Sequence, residues 1–116
     1  MDIISPALAL LTIGFGAFGF LAPRYTASAL DLAPTKSSMG LSELRASAGG
    51  VFVAIGLWCL ASGDPSAYFA LGVTYFGAGT GRALSIILDK PPLKKSLIFL
   101  ALEWPPAAIL FLLNSP

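Results

Sequence analysis

Two ionisable residues stand inside long apolar runs of this chain: Arg82 within residues 67–88 and Glu103 within residues 96–113. Charge inside a membrane-spanning segment costs about 2.5–3.5 kcal/mol on insertion scales, so such groups pair with one another or serve a ligand, an ion or a proton. Glu43 and Arg45 stand at the start of a third apolar run. Arg82, Ser85 and Asp89 recur at i, i+3 and i+7, which places them on one face of a helix. Glu43, Arg45, Arg82, Ser85, Asp89 and Glu103 form the candidate polar network, and it has two readings. It fixes helix register through buried ion pairing. Alternatively, Glu103, Arg82 and Arg45 build a site for a lipid, quinone or pigment, in which a glutamate paired with arginine ligates a pigment magnesium or relays a proton.

Other chemistry is poorly supplied. The chain has no histidine, which removes the commonest general base and the commonest ligand for haem, zinc and copper. Cys59 is the only cysteine, so neither an intrachain disulfide nor a cysteine-rich metal site can form. No nucleophile elbow or metalloprotease motif occurs. Gly77-Ala-Gly-Thr-Gly81 lacks the Lys-Ser/Thr of a phosphate loop and lies inside an apolar run. The net charge of +1 supplies no basic field for nucleic acid. The sequence therefore predicts a non-enzymatic protein without a resident metal.

The elements that carry these residues are apolar and long. Only 11% of the 116 residues are charged, against about 25% in soluble domains. Four stretches, residues 3–22, 46–63, 67–88 and 96–113, approach or reach the roughly 20 apolar residues that cross a bilayer. The expected architecture is all-α: an integral membrane four-helix bundle, antiparallel and up-down, in a single domain over residues 1–116. Its helices should span about residues 3–22, 43–63, 66–88 and 95–113. The first run lacks a basic flank and is too long for a signal-peptide core, so it is expected to be a retained helix.

The connections give orientation. The first carries Arg24 and Lys36, with Arg45 just beyond; the third carries Lys90, Lys94 and Lys95; Ser62-Gly63-Asp64-Pro65 carries no basic residue. The positive-inside rule then puts the first and third connections in the cytoplasm and both termini on the other side. In that frame Arg82, six residues before Leu88, lies about 9 Å above the cytoplasmic boundary, and Glu103, eight residues past Lys95, about 12 Å above it. Arg45 lies just above the same boundary, so Glu103 is expected to meet Arg82, Arg45 or both. Residues 25–32 of the first connection could form a short interfacial helix with Tyr25 at headgroup level.

Two further features shape the helices. Pro105 and Pro106 follow Trp104 and predict a kink beside Glu103, because proline cannot donate to the carbonyl four residues back. Glycine is abundant, including the pair Gly77 and Gly81 and the small-residue pair Ala46 and Gly50, as suits close helix packing.

Ala22-Pro23, then Glu43-Leu44-Arg45-Ala46 with Gly49-Gly50, then Gly81-Arg82 with Ser85 and Asp89, and finally Glu103 occur in an order that covers nearly the whole chain. In this the chain resembles a largely bacterial membrane family, domain of unknown function 4345, and is more distantly similar to DoxX-like four-helix membrane proteins. The resemblance implies a four-helix bundle and carries no activity with it. Pro105-Pro106 departs from that family pattern. The expected role is that of an accessory or structural subunit in a larger respiratory, photosynthetic or transport complex. Its partners would be membrane lipids and other integral membrane proteins, in a bacterial inner membrane or an organellar energy-transducing membrane.

Overall fold

The computed structural model describes residues 2–116 and is all-helical, with no strand among them. The elements are α1 (Ile4–Leu21), α2 (Pro23–Ala29), α3 (Met39–Glu43), a π-helical segment (Leu44–Gly50), α4 (Val51–Ser62), α5 (Pro65–Leu88), α6 (Leu93–Ala101) and α7 (Trp104–Asn114). Three helical runs among the described residues are long and apolar enough to cross a membrane: Ile4–Leu21, Met39–Ser62 and Leu93–Asn114. Helix α5 has the length, 24 residues, but not the apolarity of those three. Arg82 and the hydroxyls of Tyr68, Thr74, Tyr75, Thr80 and Ser85 interrupt its apolar run. Thr74 and Thr80 turn their hydroxyls back onto the Ala70 and Phe76 carbonyls, at 3.0 and 2.7 Å, so neither is left unsatisfied.

The chain gathers into two compact units. One comprises Pro6–Ser62; the other comprises Gly63–Pro116 together with the N-terminal residues up to Ser5.

In the Pro6–Ser62 unit, α1 runs antiparallel to the π-helical segment and α4. Glycines set the spacing. A Cβ on Gly19 would lie 2.7 Å from the Ala48 carbonyl oxygen, and one on Gly49 would strike the backbone of Phe20. Further along the same pair, a Cβ on Gly56 would lie 2.6 Å from Ile13 Cγ1 and 3.0 Å from the Ala9 oxygen. Backbones this close gain dispersion energy that larger side chains would prevent, which is the usual basis of helix association in an apolar medium. The π-helical turn falls where the approach is tightest. Gly49-Gly50 has weak helix preference, and the Ser47 hydroxyl donates to the Glu43 carbonyl at 2.7 Å within the same stretch.

In the other unit, α5 and α7 form the main antiparallel pair. Leu71, Tyr75, Ala107 and Leu110 are buried in it. Gly72 accommodates Leu110 and Phe111, while Phe111 sits against Phe69 with ring centroids 4.9 Å apart. Helix α5 begins on the Asp64 cap, whose carboxylate accepts from the Ser66 backbone N–H at 3.0 Å, and Pro65 occupies the first turn, where no N–H is required. It ends with Lys90 in the left-handed conformation, φ 50°. The last apolar run is broken at Leu102–Glu103, between α6 and α7. The prolines explain the break. Pro105 and Pro106 sit in the first turn of α7, and neither can donate to the carbonyl of Ala101 or Leu102.

Candidate functional site

The helix break positions Glu103. It is the residue before α7, with φ −113° and ψ −56°, and so leaves the regular helical path. One residue on, the Trp104 ring packs onto Gly79 so closely that a Cβ there would overlap it. Arg82 lies one turn beyond Gly79 on the same face of α5. The Trp104–Gly79 contact therefore brings the Glu103 carboxylate level with the Arg82 guanidinium.

The two groups form a two-pronged ion pair. Arg82 Nε donates to Glu103 Oε1 at 2.6 Å, and Arg82 Nη2 donates to Oε2 at 3.2 Å. The guanidinium also lies over the Phe99 ring, 4.9 Å from its centroid. Glu103 is 15% exposed and Arg82 32%. Two parallel hydrogen bonds fix the pair's orientation as well as its distance. Chemically, the carboxylate's charge and both its oxygens are taken up by one partner.

Ser85 and Asp89 form a separate local pair at the end of α5: the Ser85 hydroxyl donates to Asp89 Oδ2 at 2.8 Å. Arg45 lies on the π-helical segment of the Pro6–Ser62 unit, where its Nη1 donates to the Phe20 carbonyl at 2.7 Å. Glu43 is exposed at the end of α3. Of the six residues grouped by sequence, Arg82 and Glu103 meet, Ser85 and Asp89 meet, and Arg45 and Glu43 belong to the other unit. Among the described residues no three His, Cys, Asp or Glu side chains gather as a metal site.

Sequence reasoning missed a second constellation. A cavity of about 550 Å³ opens beside Arg45 and is also bounded by Pro23, Arg24, Tyr25, Ser38 and Ser42. In the sequence Arg24 marks only the orientation of the first connection. The available signal was its place directly after Ala22-Pro23, where the chain leaves α1 and must turn.

Fold and site together define a helical protein with membrane-length apolar segments and arginines held by short-range partners. The family model described as domain of unknown function (DUF4345) matches residues 1–114, and the chain belongs to that family. No curated protein and no solved structure matches it.

Proposed function

We propose that this is an integral membrane protein of four antiparallel crossing helices that acts by association, as an accessory or structural subunit of a larger membrane complex, and catalyses nothing itself. The observation that carries this reading is the outward face of α5. Val73, Phe76, Leu84, Ile87 and Leu88 are each more than half exposed there, and a Cβ on Gly77 or Gly81 would meet nothing within 4 Å. Buried glycines elsewhere receive a neighbour; these two leave a bare apolar groove on a helix with no catalytic set. Large exposed apolar surface of this kind needs a lipid or protein cover. The Arg82–Glu103 pair supports the same reading, because each charge satisfies the other and holds α5 against the α6–α7 junction. The reading of a lipid, quinone or pigment site centred on Glu103 has less support, since that carboxylate is already occupied by Arg82.

The test is extraction from native membranes in mild detergent, followed by sizing and mass spectrometry of what travels with the chain. A complex with one or more larger membrane proteins is expected, and Gly77→Ile should release the chain from it while leaving the helix content unchanged. Recovery of the chain alone would overturn the proposal. Labelling single cysteines from each side checks the orientation: Asp64→Cys should react only from the non-cytoplasmic face.

A further inference from the structure

We propose that the cavity beside Arg24 and Arg45 binds a phosphate-bearing anion, a phosphomonoester or phosphodiester. The first argument is charge. Two guanidinium groups border the space and no carboxylate does. Among the described residues neither arginine takes part in an ion pair, in contrast to Arg82. Arg45 spends one donor on the Phe20 carbonyl, and a guanidinium has five. Uncompensated arginines beside a cavity are suited to a doubly oxygenated anion, which they can engage with two parallel N–H bonds.

The second argument is hydroxyl supply. Ser38 precedes α3 in the capping position, yet its side chain makes no capping bond. Ser42 stands one turn later, its backbone N–H donating to the Ser38 carbonyl at 3.1 Å. Both hydroxyls border the cavity and neither has a partner among the described residues. Serine hydroxyls and arginine N–H groups are the usual partners of phosphate oxygens.

The third argument is construction. The Phe20 carbonyl pins Arg45, the Tyr25 ring stacks on Phe18 at 5.7 Å, and Pro23 starts α2. The space, about 550 Å³, is open, with Arg24, Ser38, Ser42 and Arg45 exposed around it, and is wide enough to admit a phosphate group. The cavity also sits where the apolar helix α1 ends, and Leu21 at its edge is 72% exposed. A phospholipid headgroup could fill it with acyl chains along α1; a water-soluble phosphate offers the same oxygens without them.

The test separates the two sources and does not depend on the chain acting as a subunit. The full chain is reconstituted in phosphatidylcholine vesicles with or without phosphatidylglycerol, and retained lipid is counted by native mass spectrometry. In a second arm inorganic phosphate is titrated into the full chain held in a phosphate-free maltoside detergent and thermal unfolding is followed. Arg24→Gln is the decisive variant, since among the described residues Arg24 has no side-chain bond to lose; it should lower retention or protection about tenfold, the worth of one charge-assisted hydrogen bond. Arg45→Lys, which keeps the charge and loses the fork, should fall in between, and Lys36→Gln, exposed and outside the cavity, should match the wild type. Selective phosphatidylglycerol retention that Arg24→Gln reduces identifies the lipid; phosphate protection that Arg24→Gln reduces, with no lipid preference, identifies the soluble anion. Identical behaviour of wild type and Arg24→Gln in both arms would overturn the proposal.

Discussion

Arg82 and Arg45 are the same side chain in two units, and their surroundings differ in what they do with a positive charge. Arg82 meets a carboxylate through two hydrogen bonds and an aromatic ring through its face. Arg45 meets one backbone carbonyl and a cavity shared with a second arginine. A neutralised pair has no net charge to offer and mainly specifies which helix faces meet. An uncompensated pair of cations keeps its electrostatic attraction for something else. The contrast shows that an arginine in an apolar chain is diagnostic only with its counter-charge.

The largest effect should come from breaking the neutralised pair. Glu103→Ala leaves the Arg82 guanidinium partly buried without a counter-ion and should cost about 3 kcal/mol, the lower end for a broken buried pair because Arg82 is 32% exposed. Adding Arg82→Met should recover most of that loss. Arg45→Met removes one hydrogen bond and should cost only about 1 kcal/mol. Equilibrium unfolding in detergent would measure all three; equal costs for Glu103→Ala and Arg45→Met would erase the distinction drawn between the two arginines.

Next come the glycines, which divide each unit into closed and open surface. Gly49→Ala drives a methyl group into the Phe20 backbone, which cannot rotate away, and Gly79→Ala drives one into the Trp104 ring; both should destabilise by about 1–3 kcal/mol. Gly77→Ala and Gly81→Ala meet no neighbour and should stabilise by up to about 1 kcal/mol through helix preference alone. The Gly79 variant should also lower the Arg82–Glu103 coupling in a double-mutant cycle, because Trp104 sets the height of Glu103.

These differences mark how far the sequence could be read. Length and apolarity alone identify a helical chain with membrane-length segments, because a run of apolar residues has few alternatives. Counting residues from the boundaries places Arg82 and Glu103 at similar height, and they are in contact. The same counting groups Arg45 and Glu43 with them by depth alone; those two residues stand in the Pro6–Ser62 unit. The π-helical form of Leu44–Gly50 was not legible either, since none of its residues signals a π-turn over an ordinary helix containing two glycines. The proline pair was informative about a break, but its position relative to Glu103 depends on Trp104 finding Gly79, a contact between residues 25 apart. The cavity at Arg24 was illegible because it is built from residues of α1, α2, α3 and the π-helical segment, whose meeting no local pattern announces.

A smaller effect should come from the buried polar contact between the ends of the Gly63–Pro116 unit. Asn114 Nδ2 donates to Ser5 Oγ at 2.9 Å and to the Leu110 carbonyl at 3.0 Å. Asn114→Leu keeps the bulk and loses both donations, so it should cost about 1 kcal/mol. Ser5→Ala should cost no more than that, and the double variant should be less than additive. Strict additivity would mean that the two side chains do not act on each other.

The smallest effect should be a pH dependence confined to the start of α1. The Asp2 carboxylate accepts from the Ser5 backbone N–H at 2.6 Å, and this bond, with a further one from the Ser5 hydroxyl, holds its pKa below the usual 3.8. A carboxyl whose pKa is depressed by folding contributes stability above its unfolded value and loses it as pH falls through the folded value. The contribution should thus be complete at neutral pH, begin to fade near 3.8 and vanish below the depressed pKa. Because Asp2 is only half-buried, the amplitude should shrink in high salt. Asp2→Asn keeps an oxygen acceptor for Ser5 but cannot ionise, so its unfolding temperature should lie below that of the wild type at neutral pH and converge with it in acid. Parallel curves at every pH would show that the cap acts through shape alone. Because Ser5 also accepts from Asn114, amide exchange at Ser5 should quicken in acid in the wild type and change less in Asp2→Asn.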